Sequence, residues 1–220
     1  WNGSGDNWSC ACEPTKSEKS MSKYDLVLEP DLPPVDYPMP ALPEDEDLWI
    51  FGYGSLMWRP GFEHKGIVDA QLFGYHRAFC VTSVVHRGTR DHPGLVLGLD
   101  RGGSCRGKAI RCPAEIREPV IDYLYRREMV TSVYVPRMAS LKLLSSKERV
   151  TGLTFVADPA HEQYAFGHSI LEAAKIIAGA SGRGGPNVDY LMSTLEHLDD
   201  FGIKDGPLHA IMEAIGQFNR

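Results

Sequence analysis

No apolar run in this chain approaches the roughly 20 residues that a membrane-spanning helix needs. Its start shows no charged stretch followed by an apolar one, so a secretory leader is not expected either. A cytoplasmic location follows as the expectation, and the Asn2-Gly3-Ser4 and Asn7-Trp8-Ser9 sequons read as chance. Positive charge is scarce: 23 Lys and Arg stand against 29 Asp and Glu, a net charge of −6 at pH 7. Nucleic-acid binders need a basic face, and anionic lipid attracts polybasic segments, so neither partner is expected. Cys-x-x-Cys is absent, and the eight histidines do not fall at metal-ligand spacing. No metal and no cofactor are therefore expected. The five cysteines are an odd number, and they read as reduced thiols of a cytosolic protein, not as a disulfide framework.

What remains is ordinary for a globular protein: 43% hydrophobic and 24% charged residues in 220. That length supports one domain with a sizeable core. Residues 1–46 differ from the rest. The first twenty are rich in Gly, Ser and Lys without periodicity, and Met21 is a candidate start. Pro30, Pro33, Pro34, Pro38, Pro40 and Pro43 then force an extended, helix-free arm that ends in Glu44-Asp45-Glu46-Asp47. Leu32, Val35, Tyr37 and Leu42 lie between those prolines. They are expected to dock the arm on the domain surface, away from any functional pocket. The domain is expected over residues 47–220.

Strand signals dominate from Leu48 to Cys112. Ile67–Tyr75, Arg77–Val85, Gly94–Leu99 and Cys105–Cys112 are β-rich, with Asp100-Arg101-Gly102-Gly103 read as a hairpin turn. Glu115–Met129 reads as a helix whose Val120, Ile121, Leu124 and Tyr125 form an apolar stripe; Pro119 sits in its tolerant first turns. Tyr134–Leu144 and Val150–Val156 return to strand. Phe166–Ala180 then reads as a helix with Gly182 at its C-cap. Asn187 is expected to cap a helix to Leu198, and Asp205 with Pro207 to start a last one. Strands first and helices mostly after give an α+β domain.

Two features carry chemistry. Leu48-Trp49-Ile50-Phe51 reads as a buried strand that breaks into Gly52-Tyr53-Gly54-Ser55. Glycines at a strand end let the backbone turn and a ligand approach the main chain. Successive N–H groups there can converge on an anion or a carbonyl oxygen. No Gly-Lys-Ser/Thr follows, and no third glycine completes a dinucleotide fingerprint. The second feature is Glu128, four residues after Leu124 and seven after Ile121, hence on the apolar face of its helix. A carboxylate aimed at a core is either paired, here with Arg77, Arg126 or Arg127, or shifted in pKa toward proton transfer near neutrality. Other residues keep two readings. Tyr53 either bonds substrate or fills the loop. Ser55 lacks a Gly-x-Ser-x-Gly elbow and suits binding or a turn. Tyr134 either points its hydroxyl at the site or is structural, and Arg77 holds either a carboxylate or a structural ion pair. The Ser181–Gly185 tract follows a helix, so it reads as a helix-cap loop and not as a phosphate site.

The run Ile50-Phe51-Gly52-Tyr53-Gly54-Ser55-Leu56-Met57-Trp58-Arg59-Pro60 resembles the signature of the ChaC-type γ-glutamylcyclotransferases. Later blocks resemble the same family in order: Phe73–Cys80, His86–Thr89, Pro93–Leu97, Arg127-Glu128 with Tyr134, and Gly184–Leu191. The resemblance implies a small, mostly antiparallel β-barrel with helices around it. It implies a γ-glutamyl peptide substrate, glutathione foremost, cleaved to 5-oxoproline and Cys-Gly without a cofactor. Glu128 is then the general acid/base. Gly52, Tyr53, Gly54, Ser55, Leu56 and Met57, with Arg77 and Tyr134, then bind substrate, the loop N–H groups facing an oxyanion or the glutamyl carboxylate. Other γ-glutamyl amines or amino acids as substrates, or a non-catalytic regulator of cation transport, are the competing readings.

Overall fold

The structure, a computed structural model, describes residues 45–218. The proline-rich arm and its expected docking through Leu32, Val35, Tyr37 and Leu42 lie outside the described residues, as do Cys10 and Cys12. Five strands close a barrel: β1 (Leu48–Gly52), β2 (Gly66–Ser83), β3 (Gly94–Cys112), β4 (Tyr134–Leu143) and β5 (Arg149–Ala157), in the order β1-β3-β2-β4-β5. Every pairing is antiparallel except β1 with β5, which is parallel and closes the barrel. Closure removes the exposed edges that an open sheet of this size would present. Four longer helices surround the barrel: α1 (Arg117–Glu128), α2 (Ile170–Gly179), α3 (Asn187–Asp200) and α4 (Gly206–Phe218). The expected α+β barrel with helices packed on it is the observed fold.

Three local expectations need correction. Asp100–Gly103 is not a hairpin turn. β3 runs through it, with Tyr75 opposite Arg101 and Phe73 opposite Ser104. Gly74, Gly102 and Gly103 all take positive φ there, so the turn-like residues instead absorb a bulge that bends two long paired strands. The sharp reversal of this hairpin is the loop between Ser83 and Gly94. Gly182 does not cap α2; it pairs with Gly185 in a two-residue ribbon, β6 (Ser181–Gly182) and β7 (Gly185–Pro186). The ribbon clasps the β2–β3 loop, where Arg183 N donates to Val85 O and Gly184 N to His86 O. Asn187 is the first residue of α3, not its cap, and its side chain serves another strand.

The core falls into two main clusters. α1 sets Val120, Ile121 and Leu124 against Leu48, Ile50, Ile110, Leu153 and Phe155. A fully buried Leu or Ile of this kind contributes about 1.5–3 kcal/mol. The larger cluster fills the barrel and joins it to α2, α3 and α4 through Ala174, Leu191 and Ile211. The loop after β1 sits at the seam: Leu56 belongs to the first cluster, Tyr53 and Met57 to the second.

Candidate active site

β1 carries the glycine loop into this seam. The chain turns back tightly at Gly52, where a Cβ would lie 3.1 Å from both Leu56 Cβ and Met57 N. Ser55–Met57 form one 3-10 turn. Met57 N donates to Gly54 O at 2.9 Å, so that N–H is spent inside the turn. The N-cap is Gly54, whose lack of a side chain leaves the first-turn N–H groups without a side-chain cap. The side chains of Leu56 and Met57 are buried in the two clusters, so their contribution to a ligand is limited to main chain.

Glu128 is the last residue of α1. The helical spacing brings its carboxylate inward, with 20% of the side chain exposed. Burial raises its pKa above the usual carboxylate value, and neighbouring Arg127 offsets part of that rise. The C-terminal pole of α1 acts in the same direction as burial, since it disfavours a negative charge. Arg127 Nε lies 3.2 Å from Glu128 Oε1. The Nε–H is not aimed at the oxygen, so the contact is close but poorly aligned, and the guanidinium still draws the carboxylate's pKa down.

Phenols complete the surroundings. Tyr53, Tyr134 and Tyr190 are held protonated: burial comes first, and Glu128 adds to the rise at each. Tyr190 is pushed up to about 12, and the other two well above the ordinary phenol value. Tyr134 donates its hydroxyl proton to Leu97 O at 2.5 Å. Leu97 N donates in turn to Tyr190 Oη at 3.4 Å. Two residues earlier, Asn187 Oδ1 accepts from Leu95 N and Asn187 Nδ2 donates to Leu95 O. The first turn of α3 thus satisfies an open stretch of β3, and this contact delivers Tyr190 to the site. Among the described residues the Tyr53 hydroxyl has no hydrogen-bond partner.

Arg77 and Ser55 are placed differently from the other candidates. Arg77 is buried with all its branches engaged: Nε donates to Tyr53 O at 2.6 Å, Nη1 to Asp205 Oδ2 at 2.8 Å and Nη2 to Arg106 O at 2.7 Å. It therefore holds the loop carbonyl and the start of α4. Ser55 Oγ accepts from Arg127 Nη2 at 2.9 Å, so it faces a guanidinium and no base. Sequence reasoning weighed Arg127 only as an ion-pair partner and did not single out Tyr190. Tyr190 lies one turn after Asn187 in α3, half-buried, and no local spacing marks it as a site residue. Among the described residues no cluster of His, Cys, Asp and Glu is placed to hold a metal ion. Cys80, Cys105 and Cys112 are free and buried, their thiols raised to about 12, 11 and 11, chiefly by burial.

One carboxylate poised by burial, felt electrostatically by three neutral buried phenols and joined through a guanidinium to a glycine loop, equips an α+β barrel for proton transfer at a bound small molecule. A family model described as ChaC-like protein matches residues 48–218. The glutathione-specific γ-glutamylcyclotransferase of Escherichia coli K12 is 38% identical over 173 residues, 79% of this chain and 74% of that protein. The Homo sapiens glutathione-specific γ-glutamylcyclotransferase 1 is 32% identical over 179 residues, 79% and 80% of the two chains. The crystal structure of a yeast γ-glutamylcyclotransferase specific to glutathione matches with a TM-score of 0.70 and 22% identity, covering 79% of this chain and 97% of that one. At that identity the likeness is one of fold. The chain belongs to the ChaC-like family.

Proposed function

We propose that this protein is a glutathione-specific γ-glutamylcyclotransferase, which closes the γ-glutamyl group of glutathione to 5-oxoproline and releases Cys-Gly. The observation that carries the reading is Glu128: a raised, inward carboxylate whose one charged neighbour also grips the glycine loop. The free α-amine of a γ-glutamyl peptide reaches its own γ-carbonyl in a five-membered ring. Glu128, ionised, takes a proton from that nitrogen as it attacks the γ-carbon. The C–N bond of the ring forms and the carbonyl electrons move to oxygen. Uncapped N–H groups at the start of the 3-10 turn are suited to meet that oxyanion or the glutamyl carboxylate. Collapse breaks the bond to the cysteine nitrogen, which leaves with the proton held by Glu128. The raised pKa suits both halves of this cycle, because a group titrating nearer neutrality both accepts and returns a proton. Folding the substrate over itself supplies much of the acceleration, since the reaction is intramolecular. Tyr53 would offer its unpartnered hydroxyl to the substrate, and Arg77 would act through position by fixing the Tyr53 carbonyl. Three buried, unpaired thiols accord with a cytoplasmic location.

The test is to incubate the purified protein with glutathione and, separately, with γ-glutamyl-alanine, and to follow 5-oxoproline by chromatography. Stoichiometric 5-oxoproline and Cys-Gly from glutathione, with little from γ-glutamyl-alanine, is expected. Equal turnover of both would move the reading to a general γ-glutamyl cyclotransferase. No product from either would reject the enzyme reading.

A further inference from the structure

The guanidinium of Arg127 is buried beside the carboxylate and reaches from the last turn of α1 to the loop after β1. Nη1 donates to Arg59 O at 2.7 Å, to Pro60 O at 3.2 Å and to Tyr123 Oη at 3.0 Å. Nη2 donates to Ser55 Oγ at 2.9 Å. These contacts anchor both ends of the segment that follows Gly54 to the last turn of α1. Nε is left over: it is buried, 3.2 Å from Glu128 Oε1, and its N–H is not directed at that oxygen. A buried donor without a partner is rare and calls for a reason. Had Nε–H pointed along the line, it would have captured the carboxylate in a charge-assisted hydrogen bond. As built, the positive charge favours the ionised carboxylate while leaving it free to turn to a substrate nitrogen.

From this geometry we infer that Arg127 is the positioning residue of the site, a fixed cation that stands beside the Glu128 carboxylate and braces the glycine loop against the last turn of α1. The inference rests on the reading of Glu128 as the proton carrier. Arg127 from α1 touches Glu128, and Tyr53 from the loop, Tyr134 from β4 and Tyr190 from α3 feel its charge. Burial raises the pKa of Glu128, the phenols are neutral, and Arg127 is the charge that pulls that pKa back down. Removing that charge raises the pKa of Glu128, which moves the acidic limb of kcat/KM to higher pH. Lysine keeps a charge but has no planar fork to hold Ser55 and the two carbonyls together.

The experiment measures kcat/KM for glutathione against pH in wild type, Arg127→Met, Arg127→Lys and Glu128→Gln, with circular dichroism and melting curves on each. In Arg127→Met the acidic limb should move up by about one pH unit or more, as expected for a lost neighbouring charge. In Arg127→Lys the limb should move less, while KM rises about fivefold or more as the brace loosens. An unmoved limb in folded Arg127→Met overturns the inference. If Arg127→Met does not fold, Arg127→Lys decides: KM and limb both unchanged overturn it, and a raised KM supports it. Glu128→Gln separates the two readings. If it remains active, the general-base assignment itself fails; if it is inactive while Arg127→Met keeps its limb, the role of Arg127 alone fails.

Discussion

At Glu128 stability and function pull in opposite directions. Its pKa is raised on folding, chiefly by burial. A raised acid favours the folded state below its unfolded value, and that contribution is lost as pH rises through the folded value. Above its folded value the wild type therefore carries the cost of ionising a largely buried carboxylate, and Glu128→Gln does not. Thermal melts should show Glu128→Gln at least as stable as wild type at pH 7, with the margin shrinking toward pH 4. A margin independent of pH would contradict the assigned direction of the shift. Tyr134 has the opposite character. Its hydroxyl satisfies Leu97 O inside the site wall. Tyr134→Phe removes that buried hydrogen bond and should cost about 0.5–1.5 kcal/mol in chemical denaturation.

At the scale of elements, the loop after β1 is held by two arginines from different directions. Arg77 reaches it from β2 and Arg127 from α1. The Arg77–Asp205 pair is almost fully buried, with side chains 2% and 13% exposed. Breaking such a pair from one side costs about 3–5 kcal/mol. Arg77→Leu should accordingly lose activity together with stability, visible as a lowered melting temperature; a stable variant with only a raised KM would make Arg77 a direct substrate ligand instead. The glycines of the loop separate structure from binding. A Cβ at Gly52 presses on the turn, whereas a Cβ at Gly54 meets only Leu97 Cδ1 at 4.0 Å. Gly54→Val should thus lower the melting temperature only modestly and raise KM for glutathione or abolish turnover. Unchanged kinetics would make the loop purely structural.

For the molecule as a whole, the legible parts were those fixed by local pattern. The apolar run 48–51 and the alternating segments after it gave the barrel strands. The four- and seven-residue spacings to Leu124 and Ile121 gave the inward face for Glu128. The bulged continuity of β2 and β3 was hidden, because Gly102 and Gly103 serve a bulge with the same residues that serve a turn. The fate of Arg77 was hidden as well: its partner Asp205 lies 128 residues away and is brought near only when α4 packs on the barrel. Tyr190 reaches the site through an edge contact between α3 and β3 that no local spacing encodes. The chemistry proposed asks nothing of a metal, so exhaustive treatment with EDTA should leave glutathione turnover intact; loss restored by a divalent ion would require another mechanism.

The most direct measurement of the central claim is the rate of 5-oxoproline release from glutathione by Glu128→Gln beside wild type, both shown folded by circular dichroism. The amide keeps the shape of the side chain and cannot carry the proton. Acid–base catalysis contributes about 10²–10⁴-fold, so kcat should fall by that order. A folded Glu128→Gln that retains more than about a tenth of the wild-type kcat would contradict the account, since that residual rate leaves no room for a contribution of this size.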